Sequence, residues 1–242
     1  MRIDILTLFP EMLTGFISNS IIKRTIDKGL VEIYLHDFRT FSSNKHHKVD
    51  DTPYGGGAGM LLAVQPIVDC LRSIPGYEVA HKMMTSAGGT VFSQTKAEEL
   101  STYDHLIIIC GHYEGFDERL LSYIDEELSI GDYIMTGGEV ASLAIIDAVI
   151  RLIPNAIKTE STLDESFSTS RLEYPQYTKP AIFEGLKVPD VLISGNHEEI
   201  RKYRLTQALL KTYKRRPDLL EKGILTAEEF QILEEIKRGE HE

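Results

Sequence analysis

The stretch His105-Leu106-Ile107-Ile108-Ile109-Cys110-Gly111-His112-Tyr113-Glu114-Gly115 combines an apolar run with a glycine-bounded loop. From Leu106 to Cys110 it has no polar alternation, and a strand that is apolar on both sides must be covered on both faces, as in a parallel sheet flanked by helices. The glycine-bounded loop that follows falls beyond the carboxyl end of that strand, where open α/β sheets place their ligands.

The pattern on either side agrees. Ile3 to Phe9 reads as a strand, Glu11 to Lys28 as a helix closed by Gly29, and Val31 to His36 as a second strand. Val64 to Ile74 reads as a helix ended by Pro75-Gly76, and Val79 to Thr85 as a strand, with a helix from Ser93 to Leu100 before the central run. Glu139 to Ile153 is helical and is stopped by Pro154-Asn155. This alternation predicts an α/β domain with a largely parallel sheet.

Ala156 to Lys179 then loses periodicity and is rich in Ser, Thr and acids, the composition of a mobile interdomain linker. Helical patterning resumes at Glu198, Pro217 opens a further helix, and Thr226-Ala227-Glu228-Glu229 has the form of a helix start. The expected organisation is a main domain over 1–158, a flexible linker over 159–175 and a small helical domain over 176–242.

A chain of 242 residues can bury such a core without disulfide or structural metal. Cys70 and Cys110 lie far apart in no metal-ligand spacing, so both read as core residues of a protein from a reducing compartment. Met1 to Phe9 is too short and too polar for a signal peptide, and no stretch approaches a membrane span. A soluble, cytoplasmic protein without a membrane partner is expected.

The formal net charge is -11, unsuited to indiscriminate coating of nucleic acid. The charge is unevenly spread: Asn196 to Arg216 carries seven Lys/Arg against two acids, whereas Pro217 to Glu242 carries three bases and eight acids. Screening over about 10 Å lets a local basic surface survive the acidic total. Arg201, Arg204, Lys211 and Arg215 recur at helical steps beside Ile200, Tyr203 and Leu210, a stripe fit for phosphate contact.

Three glycine loops stand out: Ser86-Ala87-Gly88-Gly89, Gly111 to Gly115, and Ile130-Gly131-Asp132-Tyr133 continuing to Gly137-Gly138-Glu139. Each alone would be an ordinary tight turn; together they make a pocket. Neither the dinucleotide fingerprint nor the P-loop pattern occurs, which disfavours NAD and nucleoside triphosphates and leaves an adenosine-containing ligand with little phosphate.

Five motifs follow one another along the chain: Asp50-Asp51-Thr52-Pro53-Tyr54-Gly55-Gly56-Gly57-Ala58-Gly59-Met60, Cys110 to Arg119, Ser129 to Tyr133, Gly137-Gly138-Glu139, and Ser194-Gly195-Asn196-His197. Together, and in this order, they resemble the TrmD family, the bacterial tRNA (guanine-N1)-methyltransferases of the SPOUT class. The resemblance runs from the first strand to about Leu220. It implies a deep trefoil knot and a homodimer with its site between the subunits. It also implies S-adenosylmethionine held by Ser86, Gly89, Gly111, Tyr113, Glu114, Ile130, Gly131, Asp132, Tyr133, Ile134, Met135 and Gly138.

The implied substrate is a tRNA with guanosine at position 37, met by Asp50 and the Gly55 to Gly59 turn and, along its phosphates, by the stripe on the C-terminal helix. Guanine N1 carries a proton at neutral pH, so a base must remove it, and a cation should offset the charge left on O6. The family's arginine precedes an apolar-Ile-Pro, matched by Arg151 before Leu152-Ile153-Pro154. Its base precedes Ser-Phe, matched by Glu165 before Ser166-Phe167, with Asp164 as the adjacent alternative. The family usually has Asp at the Glu165 position, Pro-Gln where this chain has Ala87-Gly88, and Leu-Pro where it has Val140-Ala141.

The adjacent His46 and His47 point in different directions on most backbones, which argues against a protein-only metal cage. Magnesium dependence is a family trait that the acid-rich pocket permits. Two other readings compete: an α/β enzyme that binds an adenosine nucleotide and acts on a small molecule, and a non-catalytic RNA-binding member of the same fold.

Overall fold

The computed structural model describes residues 1–157, 166–167 and 171–239. The chain divides into two units, Met1–Ile157 and Lys158–Glu242. In the first, β1 (Arg2–Thr7) leads into α1 (Pro10–Ile17), α2 (Ser20–Asp27) and β2 (Glu32–Asp37). The short strands β3 (Asp50–Asp51) and β4 (Leu61–Leu62) precede α3 (Val64–Ser73), β5 (His81–Val91), α4 (Gln94–Leu100), β6 (His105–Ile109), β7 (Glu126–Ser129) and α5 (Glu139–Arg151).

The central sheet has five strands in the order β2-β1-β6-β5-β7, and every pairing is parallel. The apolar run of β6 is covered on both faces. On one face Ile3, Ile5, Leu106 and Ile108 pack with Leu13 of α1, Ile22 of α2, Leu100 of α4 and Ile145 and Val149 of α5. On the other, Leu6, Met84, Ile107 and Ile109 pack with Ile67 and Leu71 of α3. Each such fully buried side chain contributes roughly 1.5–3 kcal/mol. Both cysteines belong to this core, and burial pushes the Cys70 thiol up to about 12 and raises that of Cys110 too.

Besides the short strand pair β3–β4 and, in the second unit, a further two-stranded hairpin, which the sequence did not announce, three longer elements depart from the sequence expectation. The helix read over Glu11 to Lys28 is two helices, broken where Ser20 takes a φ of 58°. Ser18-Asn19-Ser20 supplies short polar side chains that compete for backbone groups, and the Asn19 amide donates to the Gly15 carbonyl at 2.7 Å. The strand read over Val79 to Thr85 starts at His81 and resumes beyond the first glycine loop as far as Val91. β7 was not foreseen, because its acidic start, Glu126-Glu127, masks an edge strand of which only Leu128 and Ser129 are buried.

The second unit holds a hairpin of β8 (Ile182–Phe183) and β9 (Leu186–Lys187), then α6 (His197–Arg215), α7 (Pro217–Lys222) and α8 (Ala227–Lys237). α8 opens on the capping box that Thr226 and Glu229 promise: the Glu229 amide donates to Thr226 Oγ1 at 3.2 Å, and the Thr226 amide to Glu229 Oε2 at 2.8 Å. The buried positions of α6 are Thr206, Ala208, Leu209 and Thr212. Of the face read from sequence, Leu210 packs beside Leu209, Ile232 and Ile236, while Ile200 and Tyr203 stay half-buried.

One buried charge interrupts the sheet. Asp4 is fully enclosed and accepts from Arg2 Nε at 2.7 Å, His36 Nε2 at 2.6 Å and His105 Nε2 at 2.7 Å, tying β1, β2 and β6 together. Burial by itself would raise its pKa; the bonds from His36, Arg2 and His105 outweigh that and hold the carboxyl well below the usual carboxylate range. Removing one member of such a cluster costs roughly 3–5 kcal/mol. Asp4→Asn should therefore lower stability by about that much in urea unfolding at pH 7. Because the native pKa is depressed, the wild-type advantage is complete above the ordinary carboxylate range and fades as pH falls through it.

Candidate active site

The three glycine loops meet where β5 is interrupted after Thr85 and at the carboxyl ends of β6 and β7. In the first, the ladder between β5 and β7 breaks: Thr85 and Thr90 both face Leu128, so Ser86 to Gly89 is thrown out of the sheet and returns at the same point. Gly89 re-enters against the backbone of β7, where an added Cβ would lie 2.5 Å from the Glu127 carbonyl carbon and the Leu128 nitrogen. The second loop follows β6 and carries Tyr113 at a φ of 59°, a left-handed conformation rarely adopted by a bulky residue.

The third loop runs from β7 to α5 and comes back over the second. The Gly138 amide donates to the Gly111 carbonyl at 2.8 Å, and His112 bridges Gly137. A Cβ on Gly138 would fall 2.1 Å from Thr85 Oγ1 and 2.8 Å from the Gly111 nitrogen, so all three loops converge where only glycine fits.

Between them lies a cavity of about 450 Å³, within the range of small-ligand pockets. Of the residues that the resemblance assigned to the donor, Ser86, Gly111, Tyr113, Glu114, Ile130, Gly131, Tyr133, Ile134, Met135 and Gly138 line it. Gly89 and Asp132 do not: Gly89 is wedged against β7, and Asp132 is exposed. The sequence reading missed Thr85, Phe116, Leu121 and Glu127, which also line the cavity. Phe116 and Leu121 lie beyond the glycines in a segment without periodicity, and Glu127 belongs to the unforeseen strand.

The segment carrying Asp50, Gly55 and Gly59 is fastened to the second loop. β3 pairs antiparallel with β4, the Leu62 amide donates to the Gly115 carbonyl at 2.9 Å, and the Glu114 amide donates to the Met60 carbonyl at 3.1 Å. Gly59, at a φ of 84°, abuts the Glu114 side chain. At the tip between the strands Tyr54 is fully exposed. His46 and His47 are exposed as well, and among the described residues no three His, Cys, Asp or Glu side chains gather as a metal site.

Arg151 closes α5, whose residue Ala141 lines the cavity; helical rise puts it roughly 15 Å further along the axis, and it is not among the lining residues. Glu165 and Asp164 lie outside the described residues. Ser166 and Phe167, which set their register, do not: Ser166 Oγ accepts from the Glu173 amide at 2.9 Å, and the Arg216 guanidinium sits 5.9 Å from the Phe167 ring centre.

The basic stripe on α6 is more committed than its sequence implies. Arg201 forms ion pairs with Glu198 at 2.8 Å and Glu228 at 2.7 Å. Lys211 donates to the Glu173 carbonyl at 3.0 Å, and Arg204 stacks on Tyr174 with 4.9 Å to the ring centre. Among the described residues, Lys202, Lys214 and Arg215 are exposed and show no ion pair.

Comparison with known proteins accords with this geometry. The family model described as tRNA (Guanine-1)-methyltransferase TrmD matches residues 1–222. The chain is 53% identical over 239 residues to the tRNA (guanine-N(1)-)-methyltransferase of Dictyoglomus turgidum, covering 98% of this chain and 97% of that protein. It is 52% identical over 238 residues to the protein of that name from Geobacillus kaustophilus, covering 97% and 98%. The Streptococcus suis protein is 54% identical over 238 residues, covering 98% of each chain.

The two glycines of the first loop should respond oppositely to a methyl group. Gly88→Ala meets only Ser86 Oγ at 3.8 Å and should change stability by less than about 0.5 kcal/mol. Gly89→Ala, driven into the β7 backbone, should cost about 1–3 kcal/mol in the same denaturant titration.

Proposed function

The chain belongs to the tRNA (guanine-1)-methyltransferase TrmD family and methylates guanine of tRNA at N1, and on that premise we propose that S-adenosylmethionine is the donor and guanosine 37, 3′ of the anticodon, the target. The observation that carries this reading is the cavity of about 450 Å³ closed by three glycine loops, within a chain that matches the family model over residues 1–222.

The lining suits the donor. Tyr113, Leu121, Ile130 and Ile134 offer aromatic and apolar surface to a nucleoside, and Glu114 and Glu127 offer carboxylates to a cationic sulfonium and amine. When bound, S-adenosylmethionine supplies an electrophilic methyl group. The protein's own tasks are to hold the base in line, remove the N1 proton and offset the charge on O6. Glu165 takes the proton, with Asp164 as the alternative, and Arg151 faces O6. Asp50 and the Gly55 to Gly59 turn meet the anticodon region, while Arg201, Arg204, Lys211 and Arg215 of α6, with Lys202 and Lys214, meet phosphate. Arg201 does so by exchanging its glutamates.

We read the return of the chain at Gly138, together with α5 packing under β1 and β6, as the closure of a deep trefoil knot. The separation of Arg151 from the cavity of its own chain supports a homodimer in which each subunit lends Arg151 and the connector acid to its partner's cavity. The connector spans 159–175 between the catalytic domain, 1–158, and the helical RNA-binding domain, 176–242. No helix among the described residues is long and apolar enough to cross a membrane, and tRNA as substrate supports a place in the cytoplasm.

Labelled S-adenosylmethionine should transfer its methyl to tRNA transcripts with guanosine at position 37 and not to those with adenosine there. Donor binding without transfer would favour the non-catalytic reading. Glu165→Gln should lower kcat by about 10²-fold or more with donor affinity kept. Mixing and refolding Arg151→Ala with a cavity-blocking Ala87→Trp, each inactive alone, should restore about a quarter of wild-type turnover, the statistical share of intact shared sites; zero recovery would place Arg151 in its own chain's site.

A further inference from the structure

Glu139 is the first residue of α5 and is 1% exposed. A glutamate there would ordinarily turn to its own helix's free amides or to water. Instead its two oxygens leave the helix. Oε1 accepts from Thr7 Oγ1 at 2.6 Å, across 132 residues of chain, and Oε2 is 2.7 Å from His112 Nε2. The circuit continues, because Thr7 Oγ1 accepts from the Phe9 amide at 2.9 Å and the Phe9 ring meets the His112 ring edge-on at 4.9 Å. Three segments, from the end of β1, the second glycine loop and the third, are thus joined through one buried carboxylate.

Two facts give this joint a function beyond packing. His112 immediately precedes Tyr113, the cavity residue held at a φ of 59°, and a strained conformation persists only where its surroundings fix it. His112 also fills the space over Gly137, where an added Cβ would lie 2.3 Å from the imidazole. The ring therefore sets both the left-handed turn of one ligand-facing loop and its distance from the other.

We propose that Thr7, Glu139 and His112 form a buried positioning relay that keeps the second and third loops closed on one another and so sets the affinity of the cavity for its nucleoside ligand. Thr7 and Glu139 lie outside the cavity lining and act through His112. The ligand named here rests on the function proposed above; the closure of the loops does not.

The test uses the full-length dimer with Thr7→Val, which keeps the shape and loses the hydroxyl, and Thr7→Ser, which restores it. In hydrogen exchange of the ligand-free protein, Thr7→Val should speed exchange over 111–115 and 136–138 by about tenfold and leave β2 unchanged, with Thr7→Ser close to wild type. Calorimetry with S-adenosylhomocysteine should show about tenfold weaker binding for Thr7→Val and recovery for Thr7→Ser, with kcat at saturating donor retained.

Unchanged loop exchange in Thr7→Val, equal damage from the two substitutions, or uniform acceleration across the whole sheet would overturn the relay. Absence of S-adenosylhomocysteine binding in the wild type would overturn the ligand assignment and leave the exchange result to decide the relay. If Thr7→Val does not fold, His112→Gln, which keeps a side-chain donor, compared with His112→Leu decides the same question by the same exchange pattern.

Discussion

At Gly138 the chain passes so close to Thr85 and Gly111 that no side chain can be accommodated, and its amide is bonded across the gap to the Gly111 carbonyl. Much else in the first unit follows from that approach. It brings the start of α5 under the loop after β6, which lets Glu139 reach Thr7 and His112. It also fixes the two walls of the cavity relative to one another. The sheet supplies rigidity from below, through apolar residues packed on both faces of β6, and the loops supply the shape.

The opposite end of the same strands is organised by charge. Asp4 gathers an arginine and two histidines across β2, β1 and β6, and its burial is tolerable only because its oxygens are fully engaged. The second unit distributes charge differently. There the glutamates Glu198 and Glu228 hold Arg201, and Lys211 serves a backbone carbonyl, so the excess of basic residues on α6 translates into fewer uncommitted cations at the surface. An RNA phosphate approaching Arg201 must displace partners already in place.

Much of the fold could be read from residue order because its signals are local. The uninterrupted apolar run of β6 announced a doubly covered parallel sheet, and Thr226 with Glu229 announced a helix start. What escaped was non-local. β7 is a strand because β5 pairs with it, not because Glu126-Glu127 favours one, and α1 and α2 separate over three small polar residues inside an otherwise continuous periodicity. The cavity loops were legible as glycine clusters, but glycine types do not say which face a loop turns inward. Gly89 has to be a glycine because it packs against the β7 backbone, while Phe116, Leu121 and Glu127 reach the cavity through tertiary placement. The fastening of the Asp50 to Leu62 segment to the second loop consists of backbone hydrogen bonds, which leave no trace in residue type.

The break in β5 separates two kinds of constraint along one strand. Since Thr85 and Thr90 are both opposite Leu128, the residues between them form a detour whose entry and exit coincide, and the ladder beyond is indifferent to what the detour contains. Substitution or lengthening at its crest, around Ala87 and Gly88, can remodel the wall of the cavity while strand alignment downstream stays in phase. Ligand preference in this architecture can therefore drift without any renegotiation of the scaffold.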